Sequence, residues 1–244
     1  MSMFWQWTVF SSLCTLLGAL PTLLLRNVSH RAKDMLLAYT AGIMVAASTY
    51  GLIPSALKLS NLYVLTAGIL LGTVLLTVME LVIPHVDSDH AFPPREDRQS
   101  AHLLVMTAML LHNLPEGLST GVSLASGDRQ LGQLVSVAIG LQNIPEGFLV
   151  ALLMVTQRAK PSKALAYTFM IALTEWLASC LGYYFGTELQ MLVPYGLSFA
   201  AGAMLYVVYK ELIPESHGDG HEIPATFAFI VGTVTMIALT HWLG

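Results

Sequence analysis

Apolar residues fall into eight runs along the chain, separated by mostly short polar connections. A helix of about twenty apolar residues crosses the hydrocarbon core of a bilayer. The pattern therefore predicts eight membrane-spanning helices, at about 5–25, 35–57, 61–84, 102–126, 131–155, 162–187, 191–213 and 223–243. The first run has no basic segment before it and no clear cleavage site, which favours a retained helix over a signal peptide. The longest connection, about 85–101, is polar.

The composition excludes an ordinary soluble domain. Of the 244 residues, 55% are hydrophobic and only 11% are charged, whereas soluble domains carry about 25% charged residues. Cys14 and Cys180 both lie in apolar runs, so neither a disulfide framework nor a zinc knuckle is predicted. We expect one all-α transmembrane domain covering residues 1–244 and surrounded by lipid, with no nucleic-acid partner and no resident cofactor.

The basic residues predict how the chain is oriented, because Lys and Arg concentrate in cytoplasmic connections. The connections between spans 1 and 2, 3 and 4, 5 and 6, and 7 and 8 hold Arg26, Arg31, Lys33, Arg95, Arg98, Arg158, Lys160, Lys163 and Lys210. The opposite side holds only Lys58 and Arg129. Both termini are therefore expected outside, in what we interpret as a bacterial cytoplasmic membrane, with the 85–101 loop inside.

An internal repeat with an offset of 160 residues relates spans 2 and 3 to spans 7 and 8. The matching segments are Ala41–Met44 with Ala201–Met204, Leu52–Pro54 with Leu212–Pro214, and Gly72–Val74 with Gly232–Val234. With eight crossings, matched spans run in opposite directions. The pattern therefore predicts an inverted repeat of spans 1–3 and 6–8 around a central pair, spans 4 and 5. Such repeats are typical of transporters whose site lies near the membrane midplane.

Spans 4 and 5 carry the same polar interruption. Residues 112–117 read HNLPEG and residues 142–147 read QNIPEG. A charged side chain at membrane depth costs on the order of 2–3 kcal/mol, so Glu116 and Glu146 indicate function. His112 lies four residues before Glu116 and therefore on the same helical face.

The two motifs together offer a set of metal-ligating side chains. Each proline frees a backbone carbonyl four residues earlier, which then needs a cation or water as partner. If the two helices pack antiparallel, their polar faces can meet near the midplane. A mixed nitrogen and oxygen set suits Zn²⁺ and tolerates Fe²⁺, Mn²⁺ or Cd²⁺. The alternative is that these polar groups only bond each other. The candidate ligands are His112, Asn113, Glu116, Gln142, Asn143 and Glu146.

Further candidates lie outside the two motifs. Glu175, about halfway along span 6, is either a third ligand or a protonated, hydrogen-bonded carboxyl group. Met44 in span 2 is a packing residue or a soft ligand. Two polar segments are candidate metal-binding sites on the cytoplasmic exit side, or ordinary solvated loops. The first contains His85, Asp87, Asp89 and His90, with His102 at the start of span 4, and the second contains Glu211, Glu215, His217, Asp219, His221 and Glu222.

With these paired motifs in consecutive spans, the chain resembles the ZIP (Zrt-, Irt-like) family of divalent metal transporters, most closely its bacterial GufA-type branch. The resemblance implies a homodimeric secondary carrier that admits Zn²⁺, and also Fe²⁺, Mn²⁺ or Cd²⁺, to the cytoplasm. It implies an elevator-like motion of spans 1, 4, 5 and 6 against spans 2, 3, 7 and 8. The implied binuclear centre holds one ion by His112, Glu116, Gln142, Glu146 and Met44. It holds the second by Asn113, Asn143 and Glu175, with Glu116 and Glu146 shared.

The chain departs from the family pattern at two of these positions. Many members have His where this chain has Gln142, and some bacterial relatives have Asp where it has Asn143. The second ion would therefore meet less negative charge. The main alternative function is an intramembrane metal-dependent hydrolase, which needs an open ligand position and a general base. A metal sensor or a channel is a further alternative.

Overall fold

The chain is helical throughout the part that the structure covers. The computed structural model describes residues 2–25, 28–82, 98–156, 159–218 and 220–243, and no strand occurs in these ranges. Short 3₁₀ turns, Leu20–Leu23 and Gln190–Leu192, follow α1 and precede α8. The α-helices are α1 (Ser2–Ala19), α2 (His30–Ala46), α3 (Ile53–Leu59), α4 (Leu62–Val82), α5 (Arg98–Ala125), α6 (Arg129–Thr156), α7 (Pro161–Glu188), α8 (Val193–Val207), α9 (Ile213–His217) and α10 (Glu222–Leu243).

The helices reproduce the eight predicted spans of an integral membrane protein. Within the described residues, seven helical segments are long and apolar enough to cross a membrane: Met3–Leu23, His30–Leu59, Leu62–Val82, Arg129–Thr156, Pro161–Glu188, Gln190–His217 and Glu222–Leu243. The remaining predicted span is α5, whose 28 residues also exceed the length needed to cross. The α2 helix begins five residues earlier than predicted because the Ser29 hydroxyl caps it by accepting the N–H of Ala32.

The second and seventh spans are each interrupted by a π-helical turn at the same repeat position. Residues Ala47–Leu52 join α2 to α3, and residues Val208–Leu212 join α8 to α9. After each turn, Ile53 or Ile213 donates its N–H to the carbonyl five residues earlier. A proline follows directly in both places, and proline clashes with the carbonyl four residues before it. The wider turn relieves that clash, so the repeat extends from sequence to backbone.

Glycine contacts show that the two halves of the repeat pack in the same way. The α2 helix lies against α10, and α4 lies against α8. At four glycines an added Cβ would come within 2.1–2.3 Å of a carbonyl oxygen on the neighbouring helix. The contacting residues also differ by 160, which confirms the predicted internal repeat. The four contacts are Gly42 with Phe229, Gly202 with Ile69, Gly72 with Phe199, and Gly232 with Tyr39.

The offset of 160 residues also relates the contacts of the remaining long helices, α1, α5, α6 and α7. The α1 helix packs on α6, and α5 packs on α7. Gly147 of α6 abuts the carbonyl oxygen of Thr15, and Gly117 of α5 abuts that of Glu175, at 2.0 and 2.3 Å from an added Cβ. Thr15 and Glu175 again lie 160 residues apart. The backbone contacts at glycine therefore define four helix pairs: α1 with α6, α5 with α7, α2 with α10, and α4 with α8. Gly132 of α6 also lies against Leu124 of α5, which joins the first two pairs. We refer to α1, α5, α6 and α7 as the first four-helix group, and to α2, α4, α8 and α10 with their extensions as the second.

Replacing Gly202 by Ala should destabilise the protein by about 1–3 kcal/mol, because the new Cβ would lie 2.3 Å from the Ile69 carbonyl oxygen. The expected result is a lower melting temperature of the purified protein in detergent. Gly51→Ala is the matched control, since no heavy atom lies within 4 Å of its added Cβ. Equal losses in both variants would contradict the close contact between α4 and α8.

Candidate metal centre

The polar faces of the two motifs that end in Pro-Glu-Gly, at residues 112–117 and 142–147, meet inside the protein. We call them the PEG motifs. The Gln142 side chain of α6 donates its amide Nε2 to Oε1 of Glu116 on α5, at 2.6 Å. Both side chains are fully enclosed, with exposures of 0% and 1%. This contact confirms the prediction that the two motifs face each other, and it fixes one oxygen of the Glu116 carboxylate.

A second cluster surrounds Glu175 on α7. Its Oε2 accepts the amide of Asn143 at 2.9 Å and the hydroxyl of Thr15 at 3.3 Å. Its Oε1 accepts the hydroxyl of Ser11 at 3.0 Å. Asn143 also donates to the carbonyl oxygen of Ser11 at 3.1 Å. All four residues are buried, so α1, α6 and α7 are tied together at this carboxylate.

Ser11 and Thr15 were missed by the sequence analysis. They lie four residues apart on α1, so both hydroxyls project from one face of that helix. The available signal was the repeat itself, because Thr15 stands 160 residues before Glu175. In the repeat, Thr15 therefore corresponds to Glu175, an intramembrane carboxylate.

The amide side chains and the Glu116 carboxylate have unused acceptor oxygens, while each amide nitrogen donates at least one hydrogen bond. The nitrogens of Gln142 and Asn143 are bonded as described, and Asn113 donates to the Met109 carbonyl oxygen at 2.8 Å. In native proteins nearly all buried polar atoms have a partner, so a group of buried acceptors without donors is unusual. A cation can bind such oxygens, because it interacts with acceptors and needs no donor. Among the described residues, four of the unpartnered buried oxygens belong to these side chains, and the others are the hydroxyls of Ser12, Thr40, Ser48 and Thr120. The four are Oδ1 of Asn113, Oε2 of Glu116, Oε1 of Gln142 and Oδ1 of Asn143.

Glu146 stands between the two clusters. It is partly buried, and it accepts no hydrogen bond from any residue that the structure describes. It lies within electrostatic range of both Glu116 and Glu175. Carboxylates held together away from water repel one another unless a cation or protons neutralise them. The region therefore favours binding of positive charge.

His112 forms its contact outside this pair of motifs. Its Nε2 lies 2.9 Å from both carboxylate oxygens of Glu211, in the π turn between α8 and α9. The side chains of the two residues are 11% and 25% exposed. The structure thus joins His112 to the second four-helix group.

Met44 and several of the exit-side candidates are also described by the structure. Met44 is 2% exposed and belongs to the apolar core that also includes Ile139 of α6. Glu215 and His217 are exposed at α9. Within the described ranges, no three side chains of the His, Cys, Asp or Glu types form a metal-binding group. The predicted exit-side residues His85, Asp87, Asp89 and His90 lie outside the described residues.

Comparisons with known proteins assign the chain to a family. The chain matches the family described as ZIP zinc transporter over residues 84–240. It is 35% identical to the zinc transporter GufA of Myxococcus xanthus over 97% of each chain. It is also 35% identical to the zinc transporter ZIPB of Bordetella bronchiseptica, over 94% of this chain and 78% of that protein. The zinc transporter ZupT of Streptococcus mutans is 26% identical, over 94% and 93%.

The family match covers the part of the chain that carries the paired motifs. The matched segment contains both PEG motifs and Glu175, and the two relatives at 35% identity align along nearly the whole chain. By these findings and by its all-helical membrane fold, the chain belongs to the ZIP family of zinc transporters.

Proposed function

We propose that this protein carries divalent metal ions, above all Zn²⁺, across the membrane into the cytoplasm. The observation that supports the proposal most directly is the group of four unpartnered acceptor oxygens beside buried carboxylates. A bare divalent ion cannot enter hydrocarbon, so a carrier must replace its water shell with protein oxygens and nitrogens. Fe²⁺, Mn²⁺ and Cd²⁺ accept similar mixed ligands and are proposed as further cargo.

The proposed binding site centres on Glu116 and Glu146. These two carboxylates supply the charge that a divalent ion needs, and Gln142 adjoins Glu116 at 2.6 Å. The amide oxygens of Asn113 and Asn143 offer neutral ligands. Met44 is the proposed soft ligand, on the family resemblance. Glu175 lines the same polar region.

His112 is proposed to take part at a different stage from Glu116. Its bond to Glu211 spans the two four-helix groups, so motion of one group against the other would break or form it. His112 could then meet the ion only when it releases Glu211. The exit-side residues Glu215 and His217, with His85, Asp87, Asp89 and His90, are proposed to bind the departing ion weakly.

A carrier fits these features better than an enzyme. Members of a transporter family move ions and do not hydrolyse substrates, which removes the support for an intramembrane hydrolase. Backbone contacts at glycine pair the helices within each four-helix group, while Gly196 of α8 lies against the side chain of Val122 of α5, across the two groups. An elevator-like motion of α1, α5, α6 and α7 against the rest is proposed on the family resemblance.

The setting of the carrier is also a proposal. The distribution of Lys and Arg supports termini outside and the loop before α5 inside. We place the protein in a bacterial cytoplasmic membrane as a homodimer, on the family resemblance.

Replacing Glu116 by Gln should abolish transport, because the variant loses one of the two carboxylates proposed to neutralise the ion. The expected loss of ⁶⁵Zn²⁺ uptake into proteoliposomes exceeds the roughly 10–100-fold typical of a residue that only supports a ligand. Glu188→Gln is the matched control, since Glu188 is exposed at the end of α7 and should transport normally. Undiminished uptake by the Glu116→Gln variant would contradict the proposed site.

Zinc uptake should rise with pH between about pH 5.5 and 7.5, because Glu and His ligands must lose protons before they bind a metal. The apparent KM for Zn²⁺ should therefore fall as the pH rises. The measurement compares proteoliposomes with equal pH on both sides, so that no proton gradient contributes. An apparent KM that stays constant across this range would argue against carboxylate and imidazole ligands.

A further inference from the structure

Two buried carboxylates of the site differ in how far they are already compensated. Glu116 accepts one hydrogen bond on Oε1, from Gln142, and its Oε2 has no partner. Glu175 accepts bonds on both oxygens, from Ser11 on Oε1 and from Asn143 and Thr15 on Oε2. Glu175 is 0% exposed, so these donors replace the water that a carboxylate would otherwise hold. Of these two acids, only Glu116 keeps an oxygen free for a metal.

Asn143 is fixed so that its amide nitrogen faces Glu175. This nitrogen donates both to the Glu175 carboxylate at 2.9 Å and to the Ser11 carbonyl oxygen at 3.1 Å. The amide has two hydrogens, and both are therefore used. The Oδ1 atom, at the other end of the planar amide, is left without a partner. Turning the amide to present Oδ1 beside Glu175 would remove a donor from a buried carboxylate and leave the Ser11 carbonyl without that bond.

Charge balance favours the same conclusion. Three carboxylates, those of Glu116, Glu146 and Glu175, line the region. One divalent ion neutralises Glu116 and Glu146, while Glu175 is stabilised by its three donors. Two divalent ions would exceed the three negative charges by one. An uncompensated positive charge is unfavourable in a site closed to water.

We infer that this transporter binds a single divalent ion at Glu116 and Glu146, with Glu175 held as a hydrogen-bonded anion that does not ligate the metal. Ser11, Thr15 and Asn143 act as positioning residues that hold Glu175 in this role. The inference rests on the proposed transport function and fixes its stoichiometry. It replaces the second ion implied by the family resemblance with a network of hydrogen bonds.

Equilibrium binding of ¹⁰⁹Cd²⁺ to the full chain in lipid nanodiscs tests the inference. The number of ions at the site is the number bound per wild-type chain minus the number bound per Glu116→Gln chain. This subtraction removes ions that bind to surface histidines. The expected difference is one ion per chain. A difference of two would overturn the single-ion inference and leave the transport proposal intact. No difference would overturn both, because Glu116 would then hold no metal.

Two variants separate a ligand from a positioning residue. Asn143→Asp removes the donor to Glu175 and adds a fourth carboxylate, so the difference should rise from one ion to two. Glu175→Gln should keep one ion, with Kd within about threefold of the wild type, whereas Glu116→Gln should weaken binding by about 100-fold or more. The inference would be overturned if Asn143→Asp still bound one ion, or if Glu175→Gln bound as weakly as Glu116→Gln. Size-exclusion profiles and melting temperatures identify any variant that fails to fold.

Discussion

A carboxylate buried within a membrane has to be compensated by donors or by a cation, and the arrangement of the central helices follows from that requirement. Short contacts of this kind need closely packed helices. The glycine that ends each PEG motif provides this, because Gly117 lies against the Glu175 carbonyl and Gly147 against that of Thr15. A side chain at Gly147 would separate α1 from α6, the two helices that supply donors to Glu175. A side chain at Gly117 would separate α5 from α7, the helices that carry Glu116 and Glu175. The motif therefore couples the carboxylate to the packing that keeps it satisfied.

The satisfied and unsatisfied groups divide the site into a frame and a place for positive charge. Around Glu175 the donors and acceptors are matched, which gives α1, α6 and α7 a common rigid attachment. Around Glu116 the acceptors outnumber the donors, which leaves the oxygens that a dehydrated cation requires. The matched and the unmatched regions meet on α6 at two consecutive residues, Asn143 beside Glu175 and Gln142 beside Glu116. A carrier needs both, because the protein must stay intact while its cargo enters and leaves.

The sequence predicted the large features because they depend on patterns repeated many times. Apolar length defined the spans, and the offset of 160 residues predicted the internal repeat. The contact between Gln142 and Glu116 followed from two motifs on neighbouring helices. The bond between His112 and Glu211 could not be predicted, because helical spacing gives the face of a side chain but not its partner. The Ser11 and Thr15 hydroxyls look in sequence like that of Thr73, which bonds its own helix at Ile69.

The two halves of the repeat have matching backbone contacts but different side chains at the centre of the protein. Thr15 and Glu175 occupy equivalent positions, and each presents its carbonyl oxygen to a glycine of the central pair. Only one of them is an acid. Internal duplication thus accounts for the architecture, while divergence at this pair places a hydroxyl beside a carboxylate, at 3.3 Å, where an exact duplicate would set two acids against each other.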